Sequence, residues 1–113
     1  MANVNDVKDK ITKITLKDGV EREIRFTLNA LAELEDKYGS VDAAFEALDN
    51  GSIKAVRFIL WAGLIDDDPS LTELQVGSLI DTQYIQELMG TLGDAFQADL
   101  PQADEEASGE NPN

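Results

Sequence analysis

The sequence predicts an α+β fold, mostly α, with an N-terminal β-hairpin packed on a bundle of about five short helices. Three observations lead there. Residues 13–26 alternate apolar and polar around Asp18-Gly19. Five later stretches carry apolar residues at helical spacing, each opened by a Ser, Thr or Asp. A chain of 113 residues with 42% hydrophobic content suits one domain with one core. The expected organisation is a flexible N-terminus over 1–10, a single globular domain over 11–100, and a disordered acidic tail over 101–113. That tail, "PQADEEASGENPN", has no apolar residue larger than alanine.

In "KITKITLKDGVEREIRFT" the even positions Ile14, Leu16, Val20, Ile24 and Phe26 are apolar. The odd positions Lys13, Thr15, Lys17, Glu21, Glu23 and Arg25 are polar. A two-residue loop at Asp18-Gly19 would set Leu16 opposite Glu21. A three-residue loop, Lys17-Asp18-Gly19, pairs Leu16 with Val20 and keeps the apolar faces together. It also puts Gly19 where the third loop position needs a left-handed backbone. Lys13 then faces Glu23 across the solvent side. Arg22 interrupts the apolar face, so it either snorkels or marks an edge that meets something else. A lone hairpin is marginal and must pack on helices.

The first helix is "TLNALAELEDKYG", with Thr27 as N-cap, a Leu28-Leu31-Leu34-Tyr38 stripe and Gly39 as stop. In "SVDAAFEALDNG", Ser40 caps Val41, Ala44, Phe45 and Leu48, and Asn50-Gly51 ends the helix. The third, "SIKAVRFILWAGLI", has an inner stripe of Ile53, Val56, Leu60 and Leu64. Beyond Arg57 it is apolar on every side, the mark of a central, buried helix. "PSLTELQVGSLID" opens on two overlapping capping boxes, Ser70 with Glu73 and Thr72 with Gln75. Leu74, Val76, Leu79 and Ile80 are its apolar residues. The fifth helix, capped by Asp81 or Thr82, carries Ile85, Leu88, Met89, Leu92 and Phe96 and ends at Pro101. Gly90 and Gly93 weaken it, so close packing or mobility is expected there.

With no cysteine and no histidine, disulfides, thiol nucleophiles, the usual zinc sites and histidine acid/base chemistry are excluded. The formal net charge is -14. All basic residues lie at or before Arg57. Nucleic acid and anionic membrane surfaces are therefore disfavoured as partners. No stretch resembles a secretory h-region or a membrane span, so a soluble cytoplasmic protein is expected.

Calcium is the nearest enzyme-like temptation, because "DNGSI" and "DDDPS" echo EF-hand loops. Placing Gly51 at loop position 6 puts Leu48 at 3 and Arg57 at 12. Placing Asp66 at position 1 puts Leu71 at 6 and Gly77 at 12. Both fail the oxygen-donor pattern. The three aspartates instead read as a solvated loop before Pro69. No phosphate loop exists, and the serines lack a histidine partner. No catalytic, cofactor or metal residue is assigned, and no enzyme is expected.

Lys54, Arg57 and Trp61 recur at i, i+3, i+7 on the third helix. They form either a partner-facing ridge or, with Arg57 stacked on the rim of a core Trp61, a structural cluster. Met89, Leu92 and Phe96 bury either within the chain or between subunits of a homo-oligomer.

The order of features resembles the tail assembly chaperone group of tailed phages, closest to the gene-transfer-agent tail protein family, also labelled phage tail tube protein. The matching pieces are Leu31-Ala32-Glu33-Leu34-Glu35, then Tyr38-Gly39, then Leu60-Trp61-Ala62-Gly63-Leu64 and the following "LTELQV", within residues 11–100. The resemblance implies a small helical, non-catalytic protein of phage or prophage virion assembly. Such a protein binds the tail tape-measure protein and helps recruit tail tube protein in the bacterial cytoplasm. Helix-in-groove packing by a small acidic partner is a physical route to that task. The alternatives are a structural tail component of the virion and an acidic regulatory or inhibitor module. A tube subunit needs more strand than two segments, and many of the acids are already explained as caps and tail.

Overall fold

The computed structural model describes residues 12–99. The N-terminus over 1–10 and the tail over 101–113 lie outside the described residues, as does Pro101. The fold is α+β and mostly α. Strands β1 (Thr12–Thr15) and β2 (Glu21–Ile24) form an antiparallel hairpin. Helices α1 (Leu28–Tyr38), α2 (Val41–Asp49), α3 (Ile53–Leu64) and α4 (Glu73–Ser78) follow. A 3-10 turn, Thr82–Tyr84, leads into α5 (Ile85–Asp99).

The three-residue loop sets the hairpin register. Lys13 lies opposite Glu23 and Ile14 opposite Arg22. Leu16 N–H donates to Val20 O (3.3 Å), and Gly19 adopts φ 79°. Only glycine takes that backbone at no steric cost. The Glu23 carboxylate accepts from Arg25 Nη2 (3.0 Å) rather than pairing with Lys13. Arg22 neither snorkels nor meets a foreign edge. It is 7% exposed, and its guanidinium reaches Asp18 (Nη2 to Oδ2, 2.9 Å) and Asp68 (Nε to Oδ2, 3.2 Å). A buried cation is tolerable because both neighbours are carboxylates.

Residues 66–68 form the expected solvated loop, with Asp66 and Asp67 exposed, but two of its aspartates also bond to the hairpin. Asp67 Oδ2 accepts from Glu23 N–H at 2.9 Å. Asp68 accepts from both Arg22 Nε and Ser70 Oγ. The outer edge of β2 is therefore closed by this turn and by the end of α3, where Gly63 O accepts from Arg25 N–H at 2.8 Å.

The helix starts behave as their capping residues dictate. Thr27, Ser40 and Ser52 each accept from the amide three residues on. Gly39 (φ 91°) ends α1 and Gly51 (φ 84°) follows α2. At α4 one capping box forms, Thr72 with Gln75; Ser70 is drawn to Asp68 instead of Glu73. Asp81 caps the 3-10 turn.

α3 is the central element, with Phe58, Ile59, Leu60, Ala62, Gly63 and Leu64 all buried. Gly63 faces the hairpin. A Cβ there would lie 3.0 Å from Ile24 Cγ2 and 3.2 Å from Phe26 Cζ, so the missing side chain sets how closely hairpin and helix approach. Phe26 makes edge-to-face contacts with Phe45 (5.8 Å) and Phe96 (5.9 Å), which stack on one another at 3.8 Å. These rings join the start of α1 to α2 and α5. Asp99 Oδ2 accepts from Phe26 N–H at 2.7 Å. An acid in a last helical turn opposes the macrodipole; this tie gives it a structural role.

Three apolar residues of the predicted helices are not inside. Leu28 is 81% exposed, Ile53 62% and Leu74 72%. Leu28 and Ile53 are each the first residue of a helix. Nor do Gly90 and Gly93 mark close packing, because a Cβ at either position would meet nothing within 4 Å. Gly90→Ala and Gly93→Ala are therefore expected to raise unfolding free energy by about 1 kcal/mol each, measured by urea denaturation. An unchanged or lower midpoint would show that these glycines serve something other than helix geometry.

Candidate partner-binding groove

The predicted ridge separates into different roles. Trp61 is half-buried beside Phe58 (ring centroids 5.3 Å apart), and its Nε1 donates to Leu71 O at 3.0 Å. It fastens the turn after α3 to the helix. Arg57 is not stacked on Trp61 as its charge partner; its Nε donates to Glu73 Oε2 at 3.0 Å. The cation over an aromatic face is Lys37, 5.1 Å from the Phe58 centroid. Lys54 is exposed. Within the second group, Leu92 is fully buried in the chain, Met89 packs partly buried against the core, and Phe96 stacks on Phe45. The two groups do not form one surface.

What does form a surface is a groove of about 270 Å³ between the first half of α3, α4 and the start of α5. Val56, Leu60, Ile80 and Ile85 line it, with Ile53 and Leu74 at its margins. Its shape follows from local geometry. α4 must bury Val76, and Leu74 precedes it by two residues, or about 200° around a helix. Leu74 therefore projects outward, beside the groove. Gly77 lets Arg57 lie across α4: a Cβ at 77 would meet Arg57 Cδ at 2.9 Å. The Arg57–Glu73 pair then closes one side. Burial first, and the Glu73 charge second, hold the nearby Tyr38 phenol above its ordinary 10.0.

Chemically the groove offers apolar surface and a single ion pair. Among the described residues no group of three or more acids is placed to hold a metal ion. None of the described helices is long and apolar enough to cross a membrane. The sequence patterns place Arg57 on a partner-facing ridge and Ile53 on an inner stripe, and give Leu74 only as an apolar residue of its helix; none of them points to this groove. The clue was present in the two-residue spacing of Leu74 and Val76.

Fold and groove together define a small α+β, mostly α domain with an open apolar cleft. Comparisons with protein-family models, curated proteins and solved structures find no match to this chain.

Proposed function

We propose that this protein is a non-enzymatic phage or prophage tail assembly chaperone, and that the groove takes an apolar stripe of the tape-measure protein. The observation that carries this reading is the pairing of exposed Ile53 and Leu74 with an apolar groove on a chain of net charge -14. Covering either side chain contributes roughly 1.5–3 kcal/mol, while the acidic exterior keeps a complex soluble. A helix with apolar residues at i, i+3, i+4 and i+7 is the complementary shape. The same reading places the protein in the cytoplasm of the bacterial host, where it assists tail tube assembly. The resemblance of the α1 and α3 segments to the chaperone group points the same way, and a single hairpin offers little to a tube subunit.

The test is co-expression with the tape-measure protein encoded in the same gene neighbourhood. Soluble tape-measure protein is expected with the wild-type chain. Leu74→Asp is expected to cut its recovery about tenfold while changing stability by under about 0.5 kcal/mol, since the residue is exposed. Equal insolubility with and without the chain would sink the proposal.

A further inference from the structure

The two edges of the hairpin are treated differently. β2 is covered: Glu23 N–H reaches Asp67 and Arg25 N–H reaches Gly63 O. In β1 the Leu16 amide points to β2, so in an antiparallel ladder the Lys13, Thr15 and Lys17 backbone groups point the other way. Lys17 N–H finds a partner, Leu79 O at 2.9 Å. Leu79 thus stands where a third strand would begin. The chain then turns away into the 3-10 turn, and the outward backbone groups of Lys13 and Thr15 have no partner among the described residues. Beside them opens a cleft of about 420 Å³ whose apolar wall is Ile14, Leu16, Leu79, Ile80 and Leu88, with Lys13 and Lys17 on the β1 side and Asp81 and Glu87 on the other. An open edge next to apolar surface is what proteins ordinarily protect.

We infer that the β1 edge is a β-augmentation site that receives a short extended segment of a partner protein, continuing the strand position that Leu79 starts. The backbone of Lys13 and Thr15 supplies the ladder, and the cleft receives the segment's alternate apolar side chains. Charge sets the other face. Lys13 and Lys17 stand on the solvent side of the edge, and neither has an ion pair among the described residues. The fitting segment therefore alternates apolar residues with carboxylates. This site adjoins the α3–α4 groove at Ile80 but does not rest on the chaperone reading.

The full chain, labelled with ¹⁵N, is titrated with a capped peptide of alternating glutamate and valine. A peptide of the same composition with its valines contiguous serves as control. The Lys13 and Thr15 amides are expected to shift, with affinity for the alternating peptide about tenfold higher. Thr15→Pro removes an outward N–H that the β1–β2 ladder does not use, and should lower that affinity about tenfold. Lys13→Glu, which leaves the backbone intact, should weaken the glutamate peptide and favour its lysine counterpart. Equal binding of both peptides, or wild-type binding by both variants, overturns the inference. So does slow hydrogen exchange at Lys13 and Thr15 without peptide, which would assign the edge to residues 1–11 or to a second copy.

Discussion

Gly63→Leu is expected to lower the unfolding free energy by about 3 kcal/mol. A Cβ at this position already comes within 3.0 Å of Ile24 Cγ2 and 3.2 Å of Phe26 Cζ. The rest of a leucine side chain has no space unless the hairpin lifts from α3. Lifting it also breaks the bond from Arg25 N–H to Gly63 O. Gly63→Ala separates the two contributions. Its methyl asks the tips of Ile24 and Phe26 to yield by tenths of an ångström, while alanine in a helix gains about 1 kcal/mol over glycine. The alanine variant is expected to stay near wild-type stability. Denaturant midpoints for both variants check this. A leucine variant as stable as wild type would show that the hairpin is free to move.

Arg22→Ala is expected to cost about 2 kcal/mol near neutral pH, because it leaves Asp18 and Asp68 facing one another's charge without their shared donor. The pH dependence is the sharper readout. The Asp18 carboxyl is held below its ordinary 3.8 chiefly by the hydrogen bond from Arg22 and then by the Val20 amide, against a smaller opposing effect of burial. Asp68 is lowered chiefly by the hydrogen bond from Ser70, with burial opposing it and Arg22 adding to it. Groups whose folded pKa is depressed contribute stability that is full above the unfolded value. It is lost as pH falls through the folded one. Wild type should therefore hold its stability down to about pH 4 and lose it progressively below. Arg22→Ala should show a shallower loss over that range. Parallel pH profiles of the thermal midpoint would show that the Arg22 cluster contributes nothing to acid sensitivity.

Arg22 also shows where sequence reasoning stops. Its position on an apolar strand face was legible, but its partner Asp68 lies 46 residues away, and no local spacing announces that pairing. The same holds for Asp67 on the β2 edge. By contrast, the hairpin register followed from parity alone, because only a three-residue loop keeps Leu16 and Val20 on one face. The caps at Thr27, Ser40 and Thr72 followed from side-chain chemistry confined to four residues. Stripes were legible in their middles and misleading at their starts. Leu28 and Ile53 fit helical spacing, yet each sits in a first turn that projects beyond the core. That is why Ile53 reads from sequence as an inner residue although it borders the groove. Among the predicted partner residues, Leu92 and Phe96 satisfied the same pattern a core requires, and the core took them.

The tie between Asp99 and Phe26 spans 73 positions. At ordinary rates of protein synthesis, roughly 4 to 15 s separate the making of those two residues. Throughout that interval the nascent chain carries a Phe26 ring without Phe96 beside it and an amide without its acceptor. The start of α1 is therefore completed last although it is made early. A ribosome stalled in α5 before Phe96 would carry a chain whose hairpin and first four helices are already synthesised but whose aromatic joint is still open.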